Sequence, residues 1–286
     1  MEPNNDDTLH HHIPLLEAES ENGLRIWYFP QHFSQSRLAG RLVGSNACTI
    51  IALKMAEHVY KENLQFSLDN ILDRKIALAV ANSIIEGNHI HQQQVEERNL
   101  PPGQLNFTIP AAIQACGNSF HELDFHSERS VMQSTLLNHI ITAIAYWEKR
   151  LKRRRRRLET IPPAEGAILV NSQNDLFILL IADERTILLI YHPKPISMIA
   201  LVDSHSHGSR GAIVASAPLA SLGQFCVWIA TKLFTDPKSG PANGYELSVV
   251  VYKTEPTETE KIQNASGETP SSSSRSVPES ITANQS

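Results

Sequence analysis

Apolar residues change their spacing once along this chain, from a period near 3.6 in the first half to short strand-like runs in the second. Leu24–Phe29 is an early exception, a strand closed by Pro30. From Cys48 to about Tyr60, Ile51, Met55 and Val59 sit among further apolar residues on most faces, which predicts a central, buried helix. Residues 67–97, with Ile71, Ile76, Val80, Ile84 and Ile85, predict a second helix, ended by the breaker Pro101-Pro102-Gly103. A shorter helix is expected over Pro110 to Cys116. A long one is expected from Ser127 to about Glu159, on the stripe Val131, Leu136, Leu137, Ile140, Ile141, Ile144 and Trp147.

After Pro162-Pro163 the runs Ala167–Val170, Leu176–Ile181, Thr186–Tyr191 and Met198–Val202 are aliphatic or β-branched and separated by turn residues. Their close spacing predicts an antiparallel meander. Gly211–Ala217 adds a strand, Pro218 opens a helix over Leu219–Phe234, and Tyr245–Tyr252 is a last, alternating strand. The expected fold class is therefore α+β, with a helical first half and an antiparallel β-sheet second half. Residues 1–22 and 254–286 carry too little apolar surface to fold and read as disordered tails, leaving one domain over 23–253 with a helical insert at about 67–160.

Composition narrows the class. The chain has 286 residues, 41% of them hydrophobic, enough for one sizeable core. Cys48, Cys116 and Cys226 lie far apart without a CxxC, which argues against a disulfide scaffold or zinc finger and fits a reducing compartment. No apolar run reaches the roughly 18 residues of a membrane span, and the acidic, polar N-terminus lacks a signal-peptide pattern. A protein of the nucleus, the cytoplasm or both is expected.

Candidate chemistry centres on Gly44-Ser45-Asn46-Ala47-Cys48. Ser45 and Asn46 are favoured N-cap types, so Cys48 is expected in the first turn of its helix. There unpaired N–H groups and the helix dipole favour the thiolate, the nucleophilic form. A base with an orienting acceptor is offered by Val202-Asp203-Ser204-His205-Ser206-His207. If the strand runs on through His205, period two puts Asp203 and His205 on one face. His207 shares that parity; His205 is preferred as nearer the regular strand. Cys116 and Cys226, among apolar residues, read as core. His89 and His91 beside Gln92–Gln94 read as a solvated helix end, with a metal pair as the weaker reading, and His10-His11-His12 as solvated tail histidines or a weak metal site.

Gly-Ser-Asn-Ala-Cys opening an apolar helix, followed far downstream by Asp203-Ser204-His205, Gly208, Gly211, a strand and a helix, resembles the papain-like ubiquitin proteases. It is similar in particular to the deubiquitinase domain of herpesvirus large tegument proteins, over roughly residues 24–235. The resemblance implies a papain-like fold and a thiol-dependent isopeptidase that cleaves after the Gly-Gly tail of ubiquitin or a ubiquitin-like protein. Cys48 would be the nucleophile, His205 the general base and acid, and Asp203 its orienter. Gln35 would be the oxyanion donor, at about the family's distance upstream, with Gln31 also available. No cofactor and no metal are needed. The helical insert and the basic run have no counterpart in that pattern. Other expectations remain: a catalytically inactive ubiquitin-binding relative, a nuclear nucleic-acid-binding protein using Lys149–Arg157, and a Cys-His-Asp acyl transferase with a small acyl donor.

Charge adds a separate element. The net charge is −5, yet Lys149 to Arg157 holds eight basic residues in nine positions; taking those from 25 leaves 17 basic against 30 acidic. Such a run has to be exposed or partnered. It reads as a nuclear localisation signal bound by an import receptor, as a nucleic-acid or anionic-surface patch, or as a solvated helix end favoured by the dipole. The run lacks aromatics on which bases stack, which weakens specific nucleic-acid binding.

Overall fold

A computed structural model describes residues 14–99, 106–158, 174–236 and 240–253. In chain order the elements are β1 (Glu19–Glu21), β2 (Leu24–Pro30), α1 (Cys48–Glu62), α2 (Arg74–Glu97), α3 (Ile109–Ala115), β3 (Phe120–Val131) and α4 (Met132–Leu158). They continue as β4 (Leu176–Ala182), β5 (Arg185–His192), β6 (Met198–Asp203), β7 (Arg210–Pro218), α5 (Leu222–Trp228), β8 (Thr235–Asp236), β9 (Gly240–Pro241) and β10 (Asn243–Tyr252). Mixed helix and antiparallel sheet make this an α+β protein.

One sheet of eight strands organises the fold, in the order β1-β2-β7-β6-β5-β4-β10-β3, with every neighbouring pair antiparallel. Three runs of the expected meander form it as β4, β5 and β6, and β7 continues it. Its strands are buried on both faces, which explains why they read as continuous aliphatic runs and not as alternation. Along β5, Leu188 and Ile190 face one core with Ile50, Leu53, Met55 and Val59 of α1. Ile187, Leu189 and Tyr191 face the other, with Leu136, Ile140, Ile144 and Trp147 of α4 and Phe225 of α5. Helices thus cover both sheet faces, and each fully buried aliphatic side chain contributes roughly 1.5–3 kcal/mol.

Several expectations change. Residues 14–22 are not a disordered tail: Leu16 is buried, and β1 pairs with β2. Asn22 and Gly23 both take positive φ (51° and 83°), and Glu21 pairs with Leu24 across them. An Asn-Gly pair closes such a two-residue hairpin because these residues tolerate left-handed backbone. Nor is the sheet confined to the second half, since β2 and β3 belong to it. β3 extends to Val131, so the long helix starts at Met132 and not Ser127. Its residues are mostly polar and exposed because it is an edge strand, and pairing with β10 decides its conformation.

The second helix begins at Arg74, after Asp73 accepts from the Lys75 N–H (2.8 Å), and Ile71 lies outside it. The segment after Pro218 is a 3-10 turn, the short α5 and a π turn over Ile229–Leu233. Along α4, Leu151 stays buried while Lys149, Arg150, Lys152, Arg153, Arg155 and Arg156 are exposed. The expected strand Ala167–Val170, the breakers at 101–103 and 162–163, His10–His12 and the tail at 254–286 lie outside the described residues. Among the described residues no helix is long and apolar enough to cross a membrane.

Candidate active site

Cys48 is the first residue of α1, and the position before it is Ala47, not Ser45 or Asn46. Ala47 supplies the carbonyl that accepts from the Ile51 N–H (2.9 Å). Ser45 acts one step earlier: its Oγ accepts from the Ala47 N–H (3.1 Å) and donates to Asn88 Oδ1 (2.5 Å). Asn88, buried on α2, also donates through Nδ2 to the Gln35 carbonyl (2.9 Å). This contact depends on α2 lying close to the first turn of α1. A Cβ on Gly87 would fall 2.5 Å from Ile51 Cγ1, so only glycine allows the approach.

On the other side, β6 ends at Asp203, whose carboxylate is fully buried. Asp203 Oδ1 accepts from the His205 N–H (2.9 Å) and from His205 Nδ1 (2.6 Å). His205 thus lies beyond the strand, and a turn closed by the Asp203 side chain brings the two together, not strand parity. Held by Nδ1 at the carboxylate, the His205 imidazole lies near enough to the Cys48 sulfur to act on its ionisation. His207 takes the second oxygen: its Nε2 donates to Asp203 Oδ2 (2.9 Å).

The charges follow from this chain of contacts. Burial alone would push the Cys48 thiol up, but the hydrogen bond and charge of His205, aided by Thr186, bring it below its ordinary value. Burial works against a charged His205, yet the Asp203 carboxylate and the Cys48 sulfur raise it to about 9. Asp203 is held well below the carboxylate range by the two histidines against its own desolvation. The arrangement shifts Cys48 toward thiolate and His205 toward imidazolium, with a carboxylate behind. Burial pushes Cys116 and Cys226 up to about 12, as packed thiols should behave.

Gln35 links the two halves. Its Nε2 donates to the Ser45 carbonyl (2.8 Å), and its Oε1 accepts from Ser204 Oγ (2.7 Å). Its backbone N–H donates to the Ser204 carbonyl (2.8 Å). Gln31, by contrast, is exposed and touches Gly208. The Gln35 loop is seated on β7 at Gly211, where a Cβ would fall 2.2 Å from the Pro30 carbonyl oxygen.

Cys48 opens onto a cleft of about 610 Å³ whose walls include Phe107, Ile109, Phe125 and Ile181, with Glu122, Glu184 and Glu246 among them. Glu184 sits in the two-residue turn of the β4–β5 hairpin, where it and Asp183 both have positive φ (60° and 48°). That turn aims the Glu184 carbonyl at the Cys48 sulfur (4.0 Å). Thr49 and Thr186 join α1 to β5 through their hydroxyls (2.8 Å).

Cys48, Asp203, His205 and Gln35 are therefore brought together from separate stretches of the chain. His89 and His91 are not a pair: His89 is exposed, whereas His91 is buried and meets Phe107 edge-on. Two positions apart on a helix, they face different ways. Asn88, Glu184 and Thr186 gave no signal in the sequence, because their roles arise only where α2 and the β4–β5 turn meet α1. No protein-family model matches the chain, and no curated protein matches it in sequence.

Proposed function

We propose that the chain is a thiol-dependent isopeptidase of ubiquitin or a ubiquitin-like protein, built on a papain-like fold. The observation that carries the reading is the grouping of Cys48 with a His205 that Asp203 hydrogen-bonds, at an open cleft, with the thiol lowered and the imidazole raised. A thiolate preformed by its imidazolium neighbour is the requirement for attack on a carbonyl.

In the proposed cycle the Cys48 sulfur adds to the carbonyl carbon of the C-terminal glycine. Nε2 of His205 then gives its proton to the leaving lysine amine, and the C–N bond breaks to leave a thioester. Water, deprotonated by His205, hydrolyses it. Asp203 keeps Nδ1 protonated and stabilises the imidazolium through both steps. The oxyanion would be met by the backbone N–H of Cys48, which heads its helix, and by the second amide hydrogen of Gln35 Nε2, whose first goes to the Ser45 carbonyl. Three glutamates along the cleft favour a substrate with basic side chains near the cleaved bond. The exposed basic face of α4 supports recognition by a nuclear import receptor and a partly nuclear location.

The test is labelling with a ubiquitin bearing a C-terminal electrophile. Wild type should form an adduct that Cys48→Ala abolishes and His205→Ala strongly slows. A folded wild-type protein that forms no adduct with ubiquitin or ubiquitin-like probes would sink the isopeptidase reading. Alkylation of Cys48 by a small haloacetamide in that same protein would then favour the small-donor acyl transferase.

A further inference from the structure

On the sheet face opposite Cys48, His126 and Glu128 of β3 and His139 of α4 bring one ligand atom each within 4.8 Å of one another. Neither strand nor helix would assemble this set alone. His126 and Glu128 are two apart on β3, hence on one face, and Tyr245 is the register partner of Glu128 on β10. The Nε2 atoms of His126 and His139 lie 3.8 Å and 3.9 Å from the same carboxylate oxygen, Glu128 Oε2.

Two further observations show that the three groups are oriented. First, Glu128 Oε1 accepts from the Arg129 and Ser130 N–H groups (both 2.8 Å), which leaves Oε2 turned toward the imidazoles. Second, His139 is held at its other nitrogen: Nδ1 lies 2.6 Å from the Tyr245 hydroxyl oxygen, which is itself 2.8 Å from Thr135 Oγ1. With Nδ1 engaged there, Nε2 is the atom turned to Glu128. A hydroxyl behind a histidine in this way is what outer-shell groups of metal sites do.

We propose that His126, Glu128 and His139 form a binding site for a divalent transition metal of the zinc type. Two imidazoles and a carboxylate suit such an ion, and three protein ligands leave a fourth position for water. Tetrahedral bonds of about 2.0–2.1 Å put ligand atoms roughly 3.4 Å apart, so the imidazole–carboxylate distances need to close by about half an ångström. His126 is the most exposed of the three and has room to make that shift. The bound ion would join the edge strand β3 to α4. Phe125, on the same strand, lines the Cys48 cleft, so the ion would steady one wall of it.

The test uses the full chain with His10, His11 and His12 changed to Ala and with Cys48→Ala, so that neither tail nor thiol competes. Zinc is titrated against a chromogenic chelator, and cobalt is added separately to read its visible spectrum. The expected result is stoichiometric uptake, a zinc-dependent rise in melting temperature and a cobalt spectrum showing direct nitrogen ligation. Glu128→Gln, His126→Ala and His139→Ala should each weaken binding at least about tenfold, and Tyr245→Phe should weaken it less. His126→Ala alters an exposed side chain, so its fold, read by circular dichroism, serves as the control. A folded chain that takes up no zinc, or uptake unchanged by Glu128→Gln and His126→Ala, would overturn the proposal.

Discussion

Asp203 holds His205 at two points with a single oxygen, accepting from its backbone N–H at 2.9 Å and from its ring Nδ1 at 2.6 Å. The first contact positions the residue and the second sets its tautomer. Asp203→Asn offers an amide that can donate to Nδ1 and so turn the tautomer the wrong way. Turnover of a ubiquitin substrate should fall on the order of 10³–10⁴-fold with the fold retained. A loss below tenfold would show that Asp203 does not act through the ring.

The Cys48–His205 pair predicts a pH profile. Alkylation of Cys48 by iodoacetamide should already be fast below the ordinary thiol range, because the lowered thiol is ionised there. In His205→Ala the histidine's contribution is gone and burial remains, so the alkylation profile should move to higher pH. An unmoved profile would mean that the imidazole does not activate the thiol. His205 is raised from 6.5 to about 9 on folding. That stabilising contribution is complete below pH 6.5 and lost as pH rises through about 9, which urea unfolding at pH 6.5 and pH 10 would read.

Cys116 and Cys226 should stay unmodified at pH 8 while Cys48 reacts, since burial holds both at about 12. Mass spectrometry of the alkylated native protein decides it. Modification of Cys116 ahead of Cys48 would remove Cys48 from the nucleophile's place.

Asn88 bridges the Gln35 carbonyl and the Ser45 hydroxyl, so Asn88→Ala leaves both without that partner. A loss of about 1–3 kcal/mol in unfolding free energy is expected, together with slower probe labelling, because the loops on either side of Cys48 loosen. Unchanged labelling in a destabilised protein would limit Asn88 to a structural role.

Gly211→Ala would drive a methyl into the Pro30 and Phe33 carbonyl oxygens, which lie only 2.2 Å and 2.4 Å from where its carbon would sit. The Gln35 loop would have to move off β7. Overpacking of this kind costs about 1–3 kcal/mol, and labelling should slow with it. An unchanged melting temperature would show that the loop yields freely.

Much of this protein was legible in one dimension. Period-2 and period-3.6 spacings belong to the local chain, so Ile51, Met55 and Val59 announced α1, and the aliphatic runs of β4, β5 and β6 announced the meander. The place of Cys48 at a helix start and the proximity of Asp203 to His205 were also local, whereas the groups that lower the thiol, His205 and Thr186, come from distant stretches. The polar edge strand β3 was not legible, because its conformation comes from pairing with β10, distant in sequence, as where Glu122 meets Val250. The Asn22-Gly23 hairpin was legible in principle, through its turn chemistry, but has few apolar flanks to announce it.

Only the tertiary structure decided which residues meet. Asn88 reaches Gln35 because Gly87 lets two helices touch, and Glu184 reaches Cys48 because a tight turn ends between β4 and β5. His139 faces His126 and Glu128 because α4 packs back over the strand that precedes it. Local spacing carries propensity and the face a residue occupies. Contacts between residues far apart in sequence depend on how the faces close on one another, and that is settled by the packing of the whole core.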